Sequence, residues 1–336
     1  MKHKKINIGL IGLGRLGRIY ADHFVHRIAQ VNLMAVADAQ GQLAESCAQE
    51  LGIPKWYENS MDLVANKDID AVVVVSPTHT HHDIVVAAAR EGKAIFCEKP
   101  ISLSLEETGL MVQAVEKAGV FFHMGFMRRF DKGYVAAKRK IEDGVIGTPV
   151  VFKSSSRDPY PPSLEYAEHS GGMIIDMGIH DIDIVRWFMG EVKSVYSIGA
   201  TLAYPELQAI GDIDNAITTL TFENGSLGVI DLSRNGVYGY DIRAEVLGTQ
   251  GALMIGYLRE TPLVVMTREG ITHDTVPFFM ERFGDAYVTQ LEDFVSNILH
   301  DKEPSITIAD GLAALRIGMA ATLSQKENNP VEVRSI

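Results

Sequence analysis

The sequence predicts an α/β protein in two parts: a doubly wound parallel sheet, then a domain built on a large, mostly antiparallel open sheet. Three observations carry this. An apolar run over residues 5–11 ends in Gly12-Leu13-Gly14-Arg15-Leu16-Gly17. Apolar runs then alternate with amphipathic stretches as far as residue 124, the pattern of strands joined by crossover helices. From residue 192 to 267 the chain turns to short Val, Ile, Leu and Thr runs separated by turns, which suits hairpin-connected strands. The boundary is expected between residues 124 and 125, giving a first domain of 1–124 and a second of 125–336. The last helices are candidates to pack back on the first domain.

Residues 5–11 read as a buried strand, and the glycines that follow match G-x-G-x-x-G where a strand hands over to a helix. Gly12 permits the tight turn, Gly14 lets the backbone approach a pyrophosphate, and Gly17 lets the helix pack closely on the sheet. The helix is expected to begin near Arg15 and, with Leu16, to aim free N–H groups at the phosphates. A second signal arrives about twenty residues on, where the apolar run 33–37 ends at Asp38. A carboxylate there accepts hydrogen bonds from the hydroxyls of an adenosine ribose and repels a 2′-phosphate. Ala39 follows, with no arginine to neutralise such a phosphate. NAD is therefore the expected cofactor and the domain is expected to be a Rossmann fold.

Further strands are expected near 71–76, 94–97 and 120–124, with helices near 16–28, 41–51, 82–91 and 104–118. The run Ala71-Val72-Val73-Val74-Val75 suits a strand buried on both faces. Ser76-Pro77-Thr78 ends it at the carboxyl edge, where ligands bind in open α/β sheets. The nearby His79, His81 and His82 suggest a metal, but adjacent histidines at a helix start diverge and no cysteine completes a site. Packing and local hydrogen bonding are the expected roles, with His81 also placed beside the cofactor.

Composition narrows the function. The chain has 336 residues, 46% of them hydrophobic and 22% charged, an ordinary globular balance. A formal net charge of -12 disfavours nucleic acid and acidic membranes as partners. No apolar run reaches the roughly 18 residues of a spanning helix, and a cytoplasmic location is the default expectation. Cys47 and Cys97, the only cysteines, suggest neither a disulfide framework nor a thiolate metal site.

Two later segments carry chemistry. Cys97-Glu98-Lys99-Pro100 closes a strand, and the proline restricts the backbone around Lys99. A lysine held there can stabilise a developing alkoxide. In Gly171-Gly172-Met173-Ile174-Ile175-Asp176-Met177-Gly178-Ile179-His180, a helix starting near Asp176 would set Asp176 and His180 one turn apart on one face. The aspartate would then orient the histidine. Asp181 and Asp183 fall off that face and are expected to cap or to form ion pairs.

With these motifs in hand, the chain resembles the glucose–fructose oxidoreductase/inositol dehydrogenase (Gfo/Idh/MocA) family over essentially its whole length, and within it the inositol dehydrogenases. The resemblance implies oxidation of a secondary alcohol of a cyclic polyol, or of another sugar, with NAD as hydride acceptor. It makes Lys99, Asp176 and His180 the catalytic set and places Glu98 against Lys99 or the cofactor. It also brings Phe126, Met127 and Arg128 to the substrate side. Arg157 and Asp158, in the proline-rich loop 157–162, and Tyr238, with Tyr240 close by, are further substrate candidates; ion pairing and strand packing are the alternatives for these. The open face of the second sheet is expected to pack on a partner's sheet, giving a dimer or tetramer. A sugar dehydrogenase and a non-catalytic dinucleotide sensor are the competing readings.

Overall fold

The computed structural model describes residues 5–336, which divide into two compact units. One comprises the chain up to Phe126 together with Val288–Ala313, and the other comprises Met127–Tyr287 with Ala314–Ile336. The chain thus leaves the second unit and re-enters it within helices, so the division is not a single cut near residue 124.

In the first unit, strands β1 (Ile6–Ile11), β2 (Val31–Ala37), β3 (Lys55–Tyr57), β4 (Ala71–Val74), β5 (Ala94–Glu98) and β6 (Phe122–Gly125) form one sheet. All pairs are parallel, in the order β3-β2-β1-β4-β5-β6. Helices α1 (Arg15–His26), α2 (Gly41–Leu51), α3 (Ser60–Ala65), α4 (His81–Arg90) and α5 (Leu105–Ala118) connect them. All four residues of β4 are fully buried, as a strand covered on both faces requires. The strand order reverses between β1 and β4, so the loops after these strands meet at the topological switch point. The short β3 and α3 carry too few apolar positions to be read from periodicity.

The second unit adds α6 (Lys132–Glu142), β7 (Pro149–Arg157), α7 (Leu164–His169), α8 (Met173–Asp176) and α9 (Ile179–Met189). Strands β8 (Val192–Ala200), β9 (Asn215–Phe222), β10 (Leu227–Ser233), β11 (Asp241–Gly248) and β12 (Ala252–Ile255) follow. A separate exposed hairpin, β13 (Val264–Thr267) and β14 (Gly270–His273), precedes the long helices α10 (Phe279–Leu299) and α11 (Ile308–Glu327) and the terminal β15 (Val331–Glu332). The main sheet runs β12-β11-β7-β10-β9-β8-β15 and is antiparallel except for the β7–β10 pair. Glu223-Asn224-Gly225-Ser226 makes the β9–β10 turn, with Gly225 at φ 85°.

One face of this sheet carries Phe152, Ser154 and Ser156, all buried, and packs on α9. The other face presents Ile198, Ile217, Leu227 and Leu247, each more than two-fifths exposed. Helix α9 is buried almost all round, which a surface helix is not. No helix among the described residues is long and apolar enough to cross a membrane.

Candidate active site

In the first unit, candidate residues gather at the switch point. Gly12 has φ 94°, and a Cβ there would lie 2.5 Å from the Ser76 amide nitrogen. A Cβ on Gly17 would collide with the Gly12 carbonyl oxygen, whereas one on Gly14 would meet nothing within 4 Å. The three positions therefore divide as turn, open approach and close packing. Helix α1 starts at Arg15 with no side-chain cap, unlike α5 and α6, which Ser104 and Asp131 cap. Its N–H groups face the open side that Gly14 leaves, a fit for a pyrophosphate. Gly17→Ala is expected to destabilise the protein by about 1–3 kcal/mol, because its clash is with backbone that cannot swing away. Thermal unfolding without cofactor checks this; an unchanged Tm would contradict the close packing.

Asp38 stands at the end of β2 with its Oδ2 accepting from the Leu13 N–H at 2.8 Å and its Oδ1 from the Gln40 N–H at 2.8 Å. The carboxylate is thereby locked to the glycine turn. Asp38→Ala is expected to weaken NAD by about tenfold to a hundredfold, the value of a hydrogen bond to a charged group, and to narrow the preference over NADP. Michaelis constants for both dinucleotides test this; an unaltered ratio would contradict the role of Asp38.

At the neighbouring edge, the Ser76 and Thr80 hydroxyls share a 2.6 Å hydrogen bond, and Pro77 and Thr78 continue the loop into a 3-10 turn. His81 is fully buried, its Nδ1 3.0 Å from the Pro100 carbonyl oxygen and its Nε2 2.9 Å from that of Ser76. Burial lowers its pKa against the pull of these carbonyls. It ties the loop after β4 to the Glu98-Lys99-Pro100 segment. His82 turns outward to Asp83. Among the described residues no cluster of histidine, cysteine and carboxylate side chains is arranged to hold a metal.

Glu98 ends β5 as a buried carboxylate. Burial holds its pKa above the usual range, opposed by hydrogen bonds from the Tyr20 hydroxyl and the Lys99 N–H. Gln290 donates in turn to the Tyr20 hydroxyl. Glu98 therefore fixes the backbone of Lys99 from beneath, while Lys99 keeps partial exposure at a cis Lys99–Pro100 peptide. The Cys97 thiol is pushed up by complete burial and is inert at neutral pH.

In the second unit, candidate residues gather on α7, α8 and α9. The helix does not start near Asp176: Gly172, at φ 84°, leads into α8 at Met173, and a turn at Met177-Gly178 separates Asp176 from α9. Gly178 permits this because a Cβ there would press on the Ile174 carbonyl oxygen and on Leu232. Asp176 thus ends one helix and His180 sits in the first turn of the next. The Asp176 Oδ1 accepts from the Tyr166 hydroxyl at 2.9 Å, and its Oδ2 faces Arg234 Nη2 at 3.4 Å. Desolvation and the adjacent Asp176 carboxylate both raise the Tyr166 pKa, so the phenol stays protonated and donates.

His180 is nine-tenths buried, on a helix pinned by two buried ion pairs. Asp181 takes the Ser156 hydroxyl at 2.7 Å and lies 3.0 Å from Arg128; Asp183 is gripped by Arg129 at 2.6 and 2.9 Å. Burial opposes the charge of Arg128, but Asp181 together with Tyr134 and Tyr240 outweighs it and the net pKa is raised. Breaking such a pair by removing one partner costs about 3–5 kcal/mol, so the stretch around His180 is held firmly.

Several residues assigned to the substrate from sequence make contacts within the protein. Arg128 is 2% exposed with its Nη1 3.0 Å from an Asp181 carboxylate oxygen, and Met127 is buried beside it. Arg157 shares the open face of the sheet with Lys153 and Ser155 and pairs with Asp231, on the side away from α9. Tyr238 donates to Asp241 at 2.8 Å, which also holds Arg243. Asp158 follows Arg157 with its N–H on the Ser233 carbonyl. Sequence reasoning passed over Tyr166, Asp212 and Arg234. A lone arginine at the end of β10 was the only available signal, and nothing in the spacing tied it to Asp176.

Comparisons with known proteins agree with this architecture. Residues 6–126 match the Gfo/Idh/MocA oxidoreductase family's NAD-binding Rossmann fold, and residues 138–333 its C-terminal alpha/beta domain. The chain is 41% identical to a scyllo-inositol 2-dehydrogenase (NAD(+)) of Bacillus subtilis, covering 99% of this chain and 97% of that one. It is 39% identical to a myo-inositol 2-dehydrogenase of Thermotoga maritima, over 98% and 99% of the two chains. A crystal structure of scyllo-inositol dehydrogenase from Lactobacillus casei with bound NAD(H) and scyllo-inositol superposes with a TM-score of 0.94 at 34% identity, covering 98% of this chain and all of that one.

Proposed function

The chain belongs to the Gfo/Idh/MocA oxidoreductase family, and we propose that within it this protein oxidises the C2 hydroxyl of myo-inositol to the ketone. The observation that carries the reading is the Asp176–His180 segment: a carboxylate oriented by Tyr166 and Arg234, then an imidazole on a helix pinned by ion pairs. That both of the relatives described above are inositol 2-dehydrogenases, matched over nearly their full lengths, supports the substrate class.

NAD, when bound, supplies the acceptor for the hydride that leaves the carbinol carbon. Its pyrophosphate suits the uncapped N-terminus of α1 beside Gly14, and its ribose suits Asp38. His180 takes the hydroxyl proton as general base. Asp176 orients the imidazole and balances the charge it acquires. Lys99 stabilises alkoxide character on the reacting oxygen. The products are the ketone, NADH and one proton held on His180 until solvent takes it.

The exposed apolar residues Ile198, Ile217, Leu227 and Leu247 share one face of the second sheet, and an open sheet face needs cover. A second copy of the chain is the occupant this reading assigns, giving a dimer or tetramer.

A second reading, scyllo-inositol as the physiological substrate, is favoured by the 41% identity to the Bacillus subtilis enzyme. The two inositols differ only in configuration at C2, so oxidation at that carbon yields one ketone from both. The discriminating experiment measures kcat/KM for each substrate and follows myo-inositol deuterated at C2 by NMR. Transfer of the label to NAD with formation of the common ketone, and a higher kcat/KM for myo-inositol, is the expected result. A higher kcat/KM for scyllo-inositol would install the second reading, and a product oxidised at another carbon would overturn both.

A further inference from the structure

We infer that Arg234 is a positioning residue for Asp176, holding the carboxylate at the angle from which it orients His180. The inference rests on the proposed role of Asp176 and extends it to residues outside the catalytic set. Arg234 follows directly on β10 and is completely buried. Its Nη1 donates to Asp212 Oδ2 at 2.6 Å, while Nη2 faces Asp176 Oδ2 at 3.4 Å. The other oxygen of Asp212, Oδ1, accepts from the N–H of Met173 at 2.9 Å. One guanidinium–carboxylate unit therefore grips both ends of α8: Asp212 takes its first N–H, and Arg234 reaches the side chain of its last residue.

The frame behind this unit is itself fixed. The Arg234 N–H donates to the Asp214 carbonyl at 2.9 Å, and the Asp214 carboxylate gathers the N–H groups of Leu202, Ala203 and Tyr204 at 2.7–2.8 Å. Those hydrogen bonds anchor the segment that carries Asp212. Helix α8 has only four residues and ends at a turn, so it has little stiffness of its own. Without the guanidinium, the Asp176 carboxylate loses a donor to Oδ2 and gains freedom to rotate about its own side-chain bonds. Misplacing a catalytic group by about 1 Å costs on the order of a hundredfold in rate, and this sets the expected effect.

The test is a double-mutant cycle on the full-length enzyme, with active sites counted by NAD binding so that misfolded protein does not enter kcat. Arg234→Gln is expected to lower kcat about tenfold to a hundredfold, with KM for NAD unchanged. Arg234→Lys, which keeps the charge but not the two-pronged donor, is expected to fall between it and the parent and serves if the glutamine variant does not fold. In an Asp176→Asn background either Arg234 substitution is expected to cost nothing further in kcat, because the group it positions is gone. An equal loss from the Arg234 substitution in both backgrounds would overturn the inference and leave Arg234 a packing residue. An Asp176→Asn enzyme with parental kcat would instead overturn the role of Asp176, and the inference with it.

Discussion

A His180→Ala enzyme is expected to lose about 100- to 10,000-fold in kcat, the range for removing a general base, while binding NAD as the parent does. The expectation follows from the way the segment is built. His180 lies in the first turn of α9, and the residues beside it on that helix are spent on structure: Asp181 on Ser156 and Arg128, Asp183 on Arg129. Those pairs survive the substitution, so the helix keeps its place and the loss is chemical rather than conformational. Thermal unfolding and NAD titration establish that the variant is intact, and initial rates over the working pH range give the loss. Near-parental turnover at every pH would remove His180 as the base.

Lys99→Met is expected to lower kcat/KM for the polyol by about a hundredfold to a thousandfold, the size of effect seen when one preorganised donor to a developing oxyanion is removed. Methionine keeps much of the aliphatic stem and removes only the ammonium. The backbone stays anchored because Glu98 holds the Lys99 N–H and is itself held by Tyr20, with Gln290 behind it. Affinity for NAD should therefore change little. A loss confined to NAD affinity would show that the ammonium serves the cofactor and not the reacting oxygen.

How much of this was legible in the sequence depends on how local the determinant is. The glycine turn, the start of α1 and the carboxylate at Asp38 are set by spacing within one βαβ unit, and the structure places all three as read. The turn at Glu223–Ser226 is equally local. Register is not local. Strand side chains alternate, so whether Arg157 or Ser156 faces α9 depends on the phase of β7, fixed by pairing with residues about 75–100 positions away. The sequence alone leaves Arg157 between a substrate role and an ion pair, and the register sets it beside Asp231. The break after Asp176 went unread because Met177 and Gly178 both tolerate helix; the crowding of Gly178 against Leu232 is a tertiary contact. For the same reason Tyr166, Asp212 and Arg234 were invisible. Tyr166 and Arg234 meet at Asp176 and Asp212 joins them through Arg234, and their separations from Asp176 along the chain follow no period.

The measurement that tests the central claim most directly is the appearance of NADH absorbance with purified protein and myo-inositol, with NAD and NADP compared, and with scyllo-inositol, glucose, galactose and xylose as alternatives. Rapid NAD reduction by myo-inositol, with NADP much poorer and the aldoses slower, is the predicted result. Preferred oxidation of an aldose would contradict the substrate while leaving the fold and Asp38 in place. Bound NAD with no reduction by any of these compounds would contradict the catalytic account and point to a dinucleotide-binding sensor.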